Sequence, residues 1–203
     1  MKKIVFLGDS ITDCGREYND IQSVGNGYVS MIKEQLCCKK YDIINKGIAG
    51  NKIVDLYSRL QGDCIALKPD VVSVLIGIND VWHFMGVDCY DIPKEMERFQ
   101  NIYENMVLEI KNAGVAHIIL LEPFVLPQVE QHKKWRYDLD QRIQIIRSIA
   151  KKYCCLFVPI DGEINSYGIN EEYKWYSEDG VHPTQKGHDI IAQQFNKVFK
   201  TIA

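Results

Sequence analysis

The sequence predicts an α/β fold: a five-stranded parallel sheet between two helical layers, a three-layer α/β/α sandwich. Short, nearly continuous apolar runs recur along the chain, as expected of strands buried on both faces. Amphipathic patterns of helical period lie between them. Strand and helix therefore alternate, and right-handed crossovers join parallel strands.

The five predicted strands are Lys3–Leu7, Tyr41–Asn45, Val71–Ile76, Ala116–Leu121 and Leu156–Pro159. Between the third and fourth, Met96, Phe99, Tyr103, Met106, Val107 and Ile110 recur at helical spacing within Lys94–Ala113, and Gly114 stops the pattern. The charged run Lys94–Arg98 reads as its solvated face. Leu139, Ile143, Ile146, Ile149 and Tyr153 mark a second long helix. A third starts near Thr184 and carries Ile191, Phe195, Val198 and Phe199 on one side. Shorter helices are expected over Gly27–Leu36 and Lys52–Leu60. Residues Val125–Tyr137 and Asp161–Pro183 read as long connections, which in compact domains are often functional. No linker, repeat or low-complexity tract divides the sequence, so residues 1–203 are expected to form one domain.

The net charge of −3 offers no long-range attraction for nucleic acid or an anionic membrane. Neither partner is expected; a neutral small molecule or oligosaccharide is compatible, and a homo-oligomer is open. The seven cysteines include no Cys-x-x-Cys. Zinc ribbons and dithiol redox motifs therefore drop out, and free thiols in a reducing compartment are expected. The apolar run Ile4–Leu7 ends at Gly8 and is shorter than a signal-peptide core. With no run of membrane-spanning length, the expectation is a cytoplasmic protein.

In an open parallel sheet, ligands bind beyond the carboxyl ends of the strands. Gly8-Asp9-Ser10 follows the first strand, and a serine there stands near free backbone N–H groups at a helix start. By itself Ser10 fits an N-cap better than a nucleophile. The second strand leads into Asn45-Lys46-Gly47-Ile48-Ala49-Gly50-Asn51, whose glycines permit close backbone approach to a ligand or simply turn the chain. Gly77-Ile78-Asn79-Asp80 follows the third; its Asn side chain suits either an oxyanion donor or an Asx-turn. In Asp179-Gly180-Val181-His182 an acid three residues before a histidine can orient the ring, leaving its other nitrogen to accept a proton. Together these pieces supply a nucleophile, a base, an orienting acid and oxyanion donors, the minimum for acyl transfer.

The four segments resemble, block by block and in order, the SGNH (GDSL) hydrolase family, across residues 8–182. The resemblance implies Ser10 as nucleophile, His182 as base and Asp179 as its partner. It also implies an oxyanion hole from Ser10, Gly50 and Asn79, no metal or organic cofactor, and the family's flavodoxin-like sandwich. Asp13-Cys14-Gly15-Arg16, Gly25-Asn26-Gly27-Tyr28-Val29 and Ile76-Gly77-Ile78-Asn79-Asp80-Val81-Trp82 are similar to the bacterial acetylxylan esterase branch, which removes acetyl groups from xylo-oligosaccharides. That branch often has Arg where this chain has His83.

Around this core, Trp82, His83 and Tyr176 are candidate substrate contacts, with Trp175 near the site; Trp82 fits core packing equally, and His83 fits simple exposure equally. Asp9 is a further candidate contact, or a structural residue of the turn. His117 and His188 read as structural histidines, His132 as solvated beside Lys133 and Lys134. A thioesterase or lysophospholipase activity is the competing enzymatic reading. A flavodoxin-like binding domain is the non-catalytic one, although no Gly-x-Gly-x-x-Gly or Walker-type loop is present.

Overall fold

A computed structural model of the chain describes residues 1–36, 40–83 and 91–203. Cys37, Cys38 and Cys89 lie outside the described residues. The elements run β1 (Lys2–Gly8), α1 (Ser10–Asp13), α2 (Tyr28–Gln35), β2 (Tyr41–Gly47), α3 (Ile53–Ser58), α4 (Leu60–Asp63) and β3 (Val71–Leu75). They continue α5 (Ile78–Trp82), α6 (Ile92–Asn112), β4 (His117–Leu121), α7 (Glu130–Tyr153), β5 (Leu156–Val158), α8 (Asp161–Tyr167) and α9 (Gln185–Phe199). The sheet has the order β2-β1-β3-β4-β5, and all its pairings are parallel.

Period-2 alternation explains the two apolar layers. Ile4 and Phe6 face one layer, with Tyr28 and Val29 of α2 and Ile191, Phe195 and Phe199 of α9. Val5 and Leu7 face the other, with Leu56, Leu60 and the α6 residues Tyr103, Met106 and Ile110. Helix α7 is long enough to serve both: Trp135, Leu139 and Ile143 enter the first layer, Ile146 and Ile149 the second. Each fully buried side chain of this size contributes about 1.5–3 kcal/mol.

The strands fall where the apolar runs predict them, while both long connections are shorter than expected. Helix α7 begins at Glu130, so residues 130–137 are helical rather than loop. His132 is correspondingly not solvated. It is 7% exposed, its Nδ1 lies 3.0 Å from the Leu126 carbonyl oxygen, and its ring lies 4.9 Å from that of Trp135. The charged residues around it mask an inward face on which His132 and Trp135 stand three apart. Residues 161–183 likewise contain α8 and a 3₁₀ turn at Tyr173–Trp175.

The strand order reverses between β1 and β3, a switch point of the kind beyond whose carboxyl ends open parallel sheets bind ligands. Close packing there depends on Gly47. A Cβ on it would stand 2.2 Å from the Asp13 backbone nitrogen, so only glycine lets β2 end against α1.

Candidate active site

Ser10 opens α1 directly beyond β1. Asp9 caps that helix, its Oδ1 accepting from the Ile11 N–H at 3.0 Å. The Ser10 hydroxyl points to His182, with Oγ 3.0 Å from Nε2. On the other side of the ring, Nδ1 lies 2.6 Å from Asp179 Oδ2. With Asp179 ionised, Nδ1 carries the proton and Nε2 is left to accept one.

Asp179 and His182 sit on a hairpin closed by an antiparallel bridge between Ser177 and Pro183. The carboxylate also organises the turn, its Oδ1 accepting from the N–H groups of Val181 and His182 at 2.9 and 2.7 Å and from the Ser177 hydroxyl at 3.1 Å. Partial burial pushes the Asp179 carboxyl up, but these bonds and the His182 ring outweigh it, and its pKa falls to about 2. Asp179 therefore stays ionised throughout the neutral range.

The loop after β2 turns through Ile48–Asn51, closed by the Asn51 N–H donating to the Ile48 carbonyl. Gly50 occupies the left-handed position of that turn, φ +79°, and nothing lies within 4 Å of where its Cβ would be. Asn79 is buried in α5 and its Nδ2 donates to the Asn51 carbonyl at 3.1 Å. One further amide hydrogen remains on that nitrogen. The N–H groups of Ser10 and Gly50 have no hydrogen-bond partner among the described residues. Two backbone donors and one side-chain donor thus stand on the three loops that meet at the switch point.

Trp82 forms a wall. It is 37% exposed, with its ring centroid 5.7 Å from His182 and 5.5 Å from the buried Trp135. His83, one residue on, is exposed at the end of α5. Trp175 is exposed beside the hairpin, and Lys174 and Lys186 hold their ammonium groups 5.7 and 5.5 Å from its ring.

Two expected substrate contacts are corrected. Tyr176 is 4% exposed, packed in the core, with its hydroxyl donating to Glu171 Oε2 at 2.8 Å; the outward neighbour on this turn is Trp175. Asp9 is 0% exposed and cannot meet a substrate. Its Oδ2 is buried without a partner. Burial, joined by the nearby Asp80 carboxylate, pushes Asp9 up to about 7, against the opposing pull of the Ile11 N–H.

His188 is structural, as expected. Its Nδ1 accepts from the Tyr28 N–H at 3.2 Å, which leaves the proton on Nε2, 3.3 Å from Cys14 Sγ. Burial lowers its pKa to about 4.

Sequence reasoning missed the groups behind the site. Asp80, next to Asn79, accepts from the Ile53 N–H at 3.0 Å and faces the buried Arg142, which is bound to Asp138 at 2.5 Å. Arg59 gathers the ends of β1 and β2. A charged residue at an otherwise buried helix position was the available signal for Arg142.

A parallel α/β/α sandwich with a Ser–His–Asp chain at its switch point defines a class, the carboxylic ester hydrolases that work through a side-chain hydroxyl. The comparisons agree with it. Residues 6–190 match the GDSL-like lipase/acylhydrolase family, and the chain belongs to that family. An acetylxylan esterase from Geobacillus stearothermophilus is 37% identical over 96% of this chain and 92% of its own length. The structure of a catalytic mutant of Axe2, an acetylxylan esterase from the same organism, superposes with a TM-score of 0.85 at 34% identity, covering 97% of this chain and 93% of that one. The catalytic mutants described there exchange a serine, an aspartate and a histidine for alanine. An α/β hydrolase enzyme from the Lake Arreo metagenome gives a TM-score of 0.85 at 28% identity, covering 100% of this chain and 96% of that one. The chain is a carboxylic ester hydrolase, and the fold is that of GDSL esterases. No helix among the described residues is long and apolar enough to cross a membrane.

Proposed function

We propose that the protein is a serine esterase that removes acetyl groups from acetylated carbohydrate, with xylo-oligosaccharides as the substrate class. The observation that carries the chemistry is the chain of contacts from Ser10 Oγ through both His182 nitrogens to Asp179, at 3.0 and 2.6 Å. The likeness to an acetylxylan esterase along almost the whole chain supports the substrate class.

In this reading His182 Nε2 takes the Ser10 proton as Oγ attacks the acetyl carbonyl. Asp179 holds the ring and stabilises the imidazolium. The N–H groups of Ser10 and Gly50 and the Asn79 amide hold the oxyanion. Collapse releases the sugar alcohol, which receives the proton from His182. Water, deprotonated by the same nitrogen, then cleaves the acetyl-serine ester to acetate. The residues act as one hydrolase domain.

The exposed position of the pair favours a polar alcohol. Asp179 and His182 have side chains 45% and 47% exposed, with Trp82 as an aromatic wall. A sugar ring can lie against such a face while its hydroxyls stay in water. Acetate release from acetylated xylo-oligosaccharides, compared with hydrolysis of 4-nitrophenyl octanoate, tests the substrate class. Release from the oligosaccharide with poor octanoyl turnover is expected. The reverse order transfers the assignment to long-chain acyl esters.

A further inference from the structure

We propose that Arg59 is the positioning residue of the oxyanion hole, a single guanidinium that fixes the three chain ends carrying Ser10, Gly50 and Asn79. The inference rests on the donor set assigned above.

Arg59 stands at the joint of α3 and α4. Its Nη2 donates to the Gly8 carbonyl at 3.0 Å, at the last residue of β1 and two residues before Ser10. Nη1 donates to the Lys46 carbonyl near the end of β2 at 2.8 Å. Nε donates to Asn51 Oδ1 at 2.7 Å, one residue after Gly50. The Asn51 carbonyl in turn accepts from the Asn79 amide at 3.1 Å. One side chain therefore links β1, the Gly50 turn and, through Asn51, the first turn of α5.

The guanidinium is itself held. Asp63 Oδ2 accepts from Nη1 at 2.8 Å, and Lys46 pairs with the other Asp63 oxygen at 3.1 Å. Burial raises the Asp63 carboxyl, and its bonds to Arg59 and Lys46 outweigh that and hold it below its ordinary value.

Geometry explains why this matters to turnover. A donor stabilises the oxyanion only if it is aimed before reaction, to within about 0.5 Å. Gly50 has no side chain to anchor it, so the direction of its N–H follows from the ends of its turn. Asn51 is one of those ends, and Arg59 grips it. Arginine suits the task because its planar fork serves several acceptors in fixed directions, whereas a lysine ammonium is a point charge on a flexible stem. None of the Arg59 bonds reaches Ser10 Oγ or His182, so Arg59 acts through other groups.

The test is a double-mutant cycle of Arg59→Lys with Asn79→Ala, read as kcat and KM for 4-nitrophenyl acetate on protein with native circular dichroism. Arg59→Lys alone is expected to lower kcat roughly tenfold to a hundredfold, up to the loss of one donor, with KM within about twofold. In the Asn79→Ala background that cost is reduced but not abolished, because one of the three donors that Arg59 aims is gone while those of Ser10 and Gly50 remain. A merely structural role would give the same cost in both backgrounds, and that result overturns the inference. So does wild-type kcat in Arg59→Lys while Asn79→Ala is impaired, which leaves the donor set standing. If Asn79→Ala itself keeps full kcat, the donor set fails and this inference fails with it. Should Arg59→Lys not fold, Asn51→Ala cuts the same link. It is expected to lower kcat about tenfold, and unchanged kcat there contradicts the proposal.

Discussion

Trp82 packs its indole against His182, ring centroids 5.7 Å apart at an angle of 54°, and rests its other contact on Trp135 at 5.5 Å. The His182 ring is thus braced from two directions, by Asp179 through a hydrogen bond and by Trp82 through packing. The brace continues through His132, which touches Trp135 and lies beside the Leu126 carbonyl, while the Leu126 N–H donates to the Gly180 carbonyl of the same hairpin.

Removing Trp82 therefore removes one packing support of the His182 ring. Such ring pairs contribute about 0.5–1.5 kcal/mol, so Trp82→Ala is expected to lower kcat/KM for 4-nitrophenyl acetate by roughly two- to tenfold. Trp82→Phe should restore most of the loss. Equal kcat/KM in wild type and Trp82→Ala would assign the indole no part in holding the base.

The oxyanion reading makes a separate prediction. Asn79→Ala should lower kcat by roughly 10²–10³ with little change in KM, because the interaction forms only in the transition state. Asp179→Asn should cost up to about 10⁴ in kcat by loss of the correct tautomer. A raised KM with intact kcat in Asn79→Ala would make Asn79 a ground-state contact instead.

Asp9 gives stability a definite pH dependence. Its folded pKa of about 7 lies above the ordinary 3.8, so the folded state holds a proton that the unfolded chain releases. That contribution is fully present below pH 3.8 and is lost as pH rises through about 7. The ceiling is on the order of 4 kcal/mol. Asp80, raised by burial to about 6, adds in the same direction. Asp9→Asn should therefore be more stable relative to wild type at pH 8 than at pH 5, measured by urea unfolding at both values. The same difference at the two pH values would show that Asp9 is ionised equally in both states.

His188 acts with the opposite sign. Its pKa, lowered from 6.5 to about 4, makes its contribution complete above pH 6.5 and lost as pH falls through about 4. His188→Gln should flatten the acid limb of a melting-temperature profile between pH 6.5 and 4, and an unchanged slope would exclude His188 as its source.

Much of this arrangement was legible in the sequence, and the exceptions have physical reasons. Buried parallel strands are recognisable because both faces must be apolar, which is why β3 was expected within a residue of its observed span, Val71–Leu75. Helix α7 was expected too short because its first turns carry charge on the outer face and only His132 and Trp135 inside. Tyr176 and Trp175 were hard to tell apart, since adjacent aromatics on one turn carry no signal for which points outward. The segments holding Ser10, Gly50, Asn79, Asp179 and His182 were readable because each follows a strand or precedes the last helix. Arg59 was not, because two of its four partners are backbone carbonyls, which leave no mark in a sequence, and the other two, Asn51 and Asp63, are polar residues with no distinctive spacing.

The most direct measurement is hydrolysis of 4-nitrophenyl acetate by wild type and Ser10→Ala. The account predicts a loss of kcat of more than about 10⁴-fold, with the alanine variant folded and its melting temperature close to that of wild type. Activity that survives in Ser10→Ala would contradict the serine mechanism, whatever the fate of the substrate assignment.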